Sequence, residues 1–136
     1  MTRGELDILL GRYVEQARDG DFLVVDCGPC FVQSRLSDGA AEVEVRGDGC
    51  PADLLRRVDA LFARYRQDGV LTSERQPGCL TLAFEAGDVR IAEAMTGALD
   101  AIYEATARPL TLSSGEGSFM PKRKGFLGLG GYGPIA

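Results

Sequence analysis

The sequence predicts an α+β domain with the element order α-β-β-β-α-β-β-α, in which helices pack on an antiparallel sheet. Three apolar-rich runs lie close together within residues 22–46, and only a few turn residues separate them. Strands joined in this way must be antiparallel, because a parallel crossover needs about a dozen residues or more. Runs with the helical spacing of apolar residues lie on both sides of this meander. At 136 residues, the chain is most simply one domain, which can bury about two-thirds of its unfolded surface.

The first element is a helix predicted over residues 4–18. Apolar residues recur there with the i, i+3, i+4, i+7 spacing of one helix face. They are Leu6, Leu9, Leu10, Tyr13, Val14 and Ala17. Asp19-Gly20-Asp21 is expected to end this helix, since Gly20 can adopt the left-handed conformation of a helix cap.

The meander follows, with strands predicted over Phe22–Cys27, Cys30–Leu36 and Ala41–Arg46. In the third strand, apolar and charged residues alternate, so one face is expected to be buried and the other wet. The first two strands carry apolar residues on both faces, which suggests that a second chain or a client covers the outer one. A different register, or cover by the C-terminal segment, would explain the same pattern.

Three further elements complete the predicted domain. A second helix is expected to start near Pro51, because proline suits the first helical position, and to end at Gln67-Asp68-Gly69. A hairpin is predicted from Val70–Arg75 and Cys79–Glu85. Asp88 is then expected to cap a third helix, which must end before Pro109.

The composition changes after Leu112, where the sequence becomes rich in glycine and keeps no helical or strand period. We therefore predict a chaperone-like domain over residues 1–112 and a flexible tail over residues 113–136. The tail carries a charge of about +2 and the rest about −7, so the two should attract each other. Apolar side chains would let the tail dock on its own or a neighbouring chain and mimic a client; these are Phe126, Leu127, Leu129 and Tyr132. The alternative is a disordered end that touches nothing.

Composition argues against several classes of function. The net charge of −5 disfavours nucleic acid as the main partner. The sequence has no histidine, which removes the usual general base, and no pair of residues forms a catalytic constellation. We therefore predict no enzyme activity, no catalytic residue, no metal and no cofactor.

The charged N-terminal stretch lacks the apolar core of a signal peptide, and no apolar run reaches the length of a membrane span. These features favour the cytoplasm, no membrane partner and four reduced cysteines.

Cys27-Gly28-Pro29-Cys30 has the spelling of a thioredoxin active site. Such a site needs the N-terminus of a helix after the first cysteine, because the helix dipole stabilises the thiolate. The residues that follow Cys30 are expected to continue as a strand, so no dipole points at the sulfur. A thiol redox protein that uses Cys27 and Cys30 is kept as an alternative, and a four-cysteine zinc site is disfavoured because no other cysteine pair has two-residue spacing.

The order of elements resembles the small type III secretion chaperones and the related YbjN-like proteins of bacteria. The resemblance is best over Leu6–Leu71 and includes Asp19-Gly20-Asp21, Phe31-Val32-Gln33 and Glu42-Val43-Glu44. It implies a homodimer, formed largely through the second helix, that binds an extended segment of another protein. The tryptophan and proline that often follow that helix are replaced here by Gly69-Val70-Leu71.

We therefore interpret the chain as a non-enzymatic protein- or peptide-binding module, chaperone- or adaptor-like and dimeric. The residues expected to meet the client are Phe22, Val24, Phe31 and Gln33. An extended client would add hydrogen bonds at a sheet edge and place apolar side chains in pockets. A third interpretation is a carrier domain fused to a releasable C-terminal peptide.

Overall fold

The computed structural model describes residues 2–46, 49–70, 78–121 and 134–135. It shows an α+β fold with three helices and an antiparallel sheet in the order β4-β3-β2-β1-β5-β6. The helices are α1 (Arg3–Gln16), α2 (Ala52–Gln67) and α3 (Arg90–Thr106). The strands are β1 (Phe22–Cys27), β2 (Cys30–Ser37), β3 (Ala40–Arg46), β4 (Cys79–Glu85), β5 (Leu110–Glu116) and the short β6 (Pro134–Ile135).

The predicted α+β class, the three helices and the antiparallel meander are confirmed. The second strand of the predicted hairpin is β4, whereas most of the predicted strand Val70–Arg75 lies outside the described residues. Helix α3 ends before Pro109, as expected. Asp88 precedes the assigned cap residue Val89, and its Oδ1 accepts the backbone N–H of Arg90 at 2.9 Å.

Strand β5 was not predicted, and it crosses the boundary that the sequence placed at Leu112. It pairs with β1, and the register shifts at a bulge between Val24 and Val25. This shift breaks the period of two that reveals a strand, and Ser113-Ser114-Gly115 has little strand propensity of its own. Residues 113–121 therefore belong to the folded part: Phe119 has no exposed surface.

The helices lie on one face of the sheet, where they form a single core with the inward side chains of the strands. Helix α3 is central and contacts β1, β2 and β3 as well as both other helices. Three of its buried residues are alanines, Ala94, Ala98 and Ala101, whose small side chains allow close packing. The core contains one hydroxyl pair, in which Tyr13 Oη and Ser34 Oγ are 2.9 Å apart. This pair satisfies both polar groups, which would otherwise destabilise the core.

A disulfide joins Cys30 at the start of β2 to Cys50 just before α2, so the expectation of four reduced cysteines is wrong for these two. The β1–β2 turn, Gly28-Pro29, lies against the residue before Cys50 and against Arg108. A Cβ at Gly49 would come within 2.8 Å of the Pro29 side chain, and one at Gly28 within 2.7 Å of Arg108. Twenty residues separate the two cysteines in sequence, which is why spacing alone did not indicate the pair.

No helix among the described residues is long and apolar enough to cross a membrane.

Candidate functional site

The residues predicted to meet a client lie together on one face of the sheet. Phe22, Val24, Phe31 and Gln33, which we call the Phe22 patch, are half-buried and occupy the strand positions that alternate with the core residues. They therefore lie on the side away from the helices, which we call the outer face. Val24 is opposite Gln33, and the next outward pair is Asp26 and Phe31. The antiparallel register thus brings the four residues into one patch.

Arg35 joins the Phe22 patch to the neighbouring strand. It is the cross-strand partner of Phe22 on β1 and of Glu42 on β3. Its Cζ lies 5.2 Å from the centroid of the Phe22 ring, a cation–π geometry. Glu42 is exposed and forms no ion pair with another described residue. The guanidinium of Arg35 therefore lies over the Phe22 ring and forms no ion pair with Glu42.

Gln33 is hydrogen-bonded to Glu44, its cross-strand partner on β3. Its Nε2 donates to Glu44 Oε1 at 3.3 Å, and Arg46 Nη1 lies 3.5 Å from the same oxygen. The Glu44 side chain is only 14% exposed, so its charge needs these partners. The polar member of the Phe22 patch is thus fixed in orientation by a charged neighbour on β3.

Two hollows lie on the side of β3 and β4, and the first adjoins the Phe22 patch at Gln33. The first, of about 340 Å³, lies over β2, β3 and β4. The second, of about 460 Å³, lies at the end of β4 between the β2–β3 turn, the end of α2 and the start of α3. Ala40 and Ala83 line both hollows, so we treat the two as one trough. The outer face is not open along all of β4, since Thr81 is 7% exposed.

Carboxylates dominate the walls of this trough. Six of them line it, namely Asp38, Glu42, Glu44, Asp68, Glu85 and Asp88, against the two guanidinium groups of Arg35 and Arg90. Arg90 is engaged by Asp88, with Nη2 to Oδ2 at 2.7 Å. This contact lowers the pKa of the Asp88 carboxyl below its usual value and raises that of Arg90. The trough is therefore acidic, and its floor of small residues leaves room for a long side chain.

Cys27 and Cys30, the pair that the sequence suggested for redox chemistry, do not have the geometry of a thiol redox site. Cys27 is fully buried, and its Sγ donates to the carbonyl oxygen of Cys30 at 3.1 Å. Burial, with a smaller contribution from Asp26, raises the Cys27 pKa to about 12. A thiol in this state is a poor nucleophile, and Cys30 is bonded to Cys50 instead.

The other two cysteines and the acidic residues form no metal centre in the described part of the chain, where no group of three or more ligating side chains could hold an ion. Cys79 is a half-buried free thiol on β4, and burial is the main reason that its pKa lies above the usual value.

The stripe of α2 that the resemblance linked to a dimer is mostly core. Leu54, Val58, Phe62 and Tyr65 are buried within this chain, and Leu61 alone of the large apolar side chains of α2 is strongly exposed, at 43%. An interface through α2 would therefore centre on Leu61.

The tail residues predicted to dock, Phe126, Leu127, Leu129 and Tyr132, lie outside the described residues. The described end of the tail pairs with the sheet at β5, where Ile135 is opposite Leu110 and Pro134 opposite Thr111.

No family model matches this chain, and neither a curated protein nor a solved structure matches it.

Sequence reasoning identified the Phe22 patch but missed the trough beside it. The alternation in β3 predicts only a wet face for Glu42 and Glu44, and the sequence gives Ala40 and Ala83 no distinguishing pattern. The feature that could have indicated a hollow is the diagonal arrangement of the two alanines, since Ala40 is opposite Glu85 and Ala83 is opposite Glu42. It becomes visible only when the β3–β4 register is known.

Proposed function

We propose that the protein is a non-enzymatic peptide-binding module, chaperone- or adaptor-like, that holds an extended segment of a client protein on its outer face. The observation that carries this proposal is the Phe22 patch. Two aromatic rings and a valine are collected on the face that the helices leave uncovered. Apolar groups grouped in this way favour a partner that removes them from water.

The surroundings of the patch suit a peptide rather than a small molecule. The hollows next to it are shallow and lined by polar groups, whereas cofactor pockets are concave and mostly apolar. Because β1 and β2 are interior strands, an extended client would lie across the outer face rather than pair with a sheet edge, and it would place apolar side chains against Phe22 and Phe31. The resemblance to type III secretion and YbjN-like chaperones supports the same mode, a homodimeric state and a cytoplasmic location.

Peptide binding to full-length protein tests the proposal. The probe is a fluorescently labelled glycine–serine peptide that carries two phenylalanines, and the readout is anisotropy. Replacement of Val24 and Phe31 by serine should weaken binding about tenfold or more. The matched control replaces Ile8 and Val89, two apolar residues that are 64% and 75% exposed away from the sheet, by serine.

Circular dichroism should show that both double variants remain folded. Equal binding by the two variants, or no binding of the probe to the unaltered protein, would contradict a client site on the outer face.

A further inference from the structure

Because Arg35 lies over the Phe22 ring, the carboxylate of Glu42 beside the Phe22 patch has no ion-pair partner among the described residues. Phe22, Arg35 and Glu42 are successive cross-strand neighbours on β1, β2 and β3. Arg35 is the cation that could neutralise Glu42, yet its guanidinium stacks on the Phe22 ring at 5.2 Å. The carboxylate of Glu42 therefore faces the trough without an ion pair among the described residues.

Two other carboxylates at the same end of the trough are in a similar state. Glu85 and Asp38 are exposed and form no ion pair with a described residue. The remaining cation of the trough, Arg90, is already engaged by Asp88, whose two carboxylate oxygens both accept from its guanidinium. Like charges collected around small floor residues produce a negative potential that favours a cationic group.

We propose that the client segment carries a lysine or arginine that enters this trough, next to an apolar residue that rests on the Phe22 patch. This inference depends on the proposed function and names the chemistry of the client. The charge is complementary: a basic side chain would meet the unpaired carboxylates of Glu42 and Glu85. Its aliphatic stem would cover the methyl groups of Ala40 and Ala83.

The distance between neighbouring strands of the sheet sets the spacing between the apolar and the basic residue of the client. Phe22 and Glu42 are two strands apart, which is about 9.6 Å. An extended chain advances about 3.3 Å per residue, so about three residues span this distance. In a polyproline II segment, which has about three residues per turn, side chains three apart lie on the same side. The client therefore presents its apolar and basic residues with a spacing of three in this extended conformation.

Three labelled peptides of equal length in a glycine–serine background test the inference on the full chain. One carries phenylalanine with lysine three residues further on, the second replaces that lysine by glutamate, and the third replaces it by serine. The lysine peptide should bind about fivefold or more tightly than the serine peptide, and the glutamate peptide more weakly than either. The preference should shrink as salt is raised from about 0.05 to 0.5 M, because screening weakens interactions of exposed charges.

Two double variants test whether the preference for the lysine peptide arises from the carboxylates of the trough. Glu42→Gln with Glu85→Gln should remove the difference in affinity between the lysine peptide and the serine peptide. The matched control is Glu15→Gln with Glu104→Gln, two exposed acids on α1 and α3 whose replacement changes the net charge equally.

The outcomes separate the two ideas. If all three peptides bind alike, or if both double variants reduce the preference equally, the basic-client inference is wrong while the peptide-binding function stands. If none of the peptides binds, the proposed function fails as well. If light scattering shows that the Glu42 and Glu85 changes alter the mass of the protein rather than its peptide affinity, the trough is an interface between copies and the inference is overturned.

Discussion

The ring of Phe119 packs edge-on against the ring of Tyr13, with centroids 4.9 Å apart. Tyr13 belongs to α1 and Phe119 follows β5, so this contact ties the first element of the chain to a segment that composition alone assigned to the tail. Both side chains are almost fully buried. The contact makes Phe119, which lies beyond Leu112, part of the core.

Replacement of Phe119 by alanine should therefore destabilise the protein by about 3–5 kcal/mol, the usual cost of removing a buried aromatic ring. Denaturant unfolding followed by circular dichroism measures this difference. Tyr103→Ala is the control, because Tyr103 is 51% exposed on α3, and it should change stability little. A chain that ends at Leu112 should fail to fold, whereas a chain that ends at Pro121 should fold. Normal stability of Phe119→Ala would show that the ring does not contribute to the core.

Loss of the Cys30–Cys50 bond should reduce stability without affecting peptide binding. The bond closes a loop of about twenty residues, for which the usual stabilisation is about 2–4 kcal/mol. Cys50→Ser tests this, since Cys50 lies away from the outer face. The control is the unaltered protein in a thiol reductant, which should match the variant. A stability difference that persists under reducing conditions would point to the serine itself rather than to the bond.

Asp88 should contribute stability that depends on pH. Its hydrogen bond from the Arg90 side chain holds its carboxyl pKa below the usual value, so the folded pKa lies below the unfolded one. Stability from this group is then fully present above the unfolded pKa of about 3.9 and is lost as pH falls through the folded pKa.

Asp88→Ala should cost about 0.5–2 kcal/mol at neutral pH, because Arg90 also loses the acceptor for its backbone N–H. Asp88→Asn keeps an acceptor and should cost less. In both variants, urea unfolding should show a smaller loss of stability between pH 5 and pH 2 than in the unaltered protein. An unchanged slope in the asparagine variant would place the titrating group elsewhere.

Light scattering should give the mass of a dimer at micromolar concentration, because exposed apolar groups are stabilised by burial against a second copy. Leu61→Glu should shift the protein toward the monomer mass near 14.5 kDa if α2 forms the interface. Ile8→Glu, a matched change on α1, should not. A monomer at all concentrations in the unaltered protein would exclude the dimer.

The chain's own tail should compete with a client. Its basic run Lys122–Lys124 is expected to be attracted to the acidic trough, and its apolar residues to the Phe22 patch. Alanine at all three basic positions, or serine in place of Phe126, Leu127, Leu129 and Tyr132, should therefore raise the affinity for the lysine peptide at low salt. A tail that touches nothing would leave the affinity unchanged in both variants.

Much of the fold could be predicted because its elements obey simple periods. The stripe of α1 and the alternation in β3 each indicate both the element and its buried face. The features that were missed depend on contacts between distant residues. Strand β5 was missed because a bulge interrupts its period of two. The Cys30–Cys50 bond and the trough were missed because each forms only when segments distant in sequence come together. The Phe22 patch could be predicted because it follows from the period of two within one hairpin.

Because all three helices lie on one side of the sheet, the residues that form the core are separate from those that form the outer face. Along β1, β2 and β3, each residue that maintains the core is followed by one that does not. Substitutions at the second set can change charge and shape on the outer face while the hydrophobic interior stays intact. If the outer face binds a client as proposed, changes at these alternate positions would alter which segment is bound while the core stays intact.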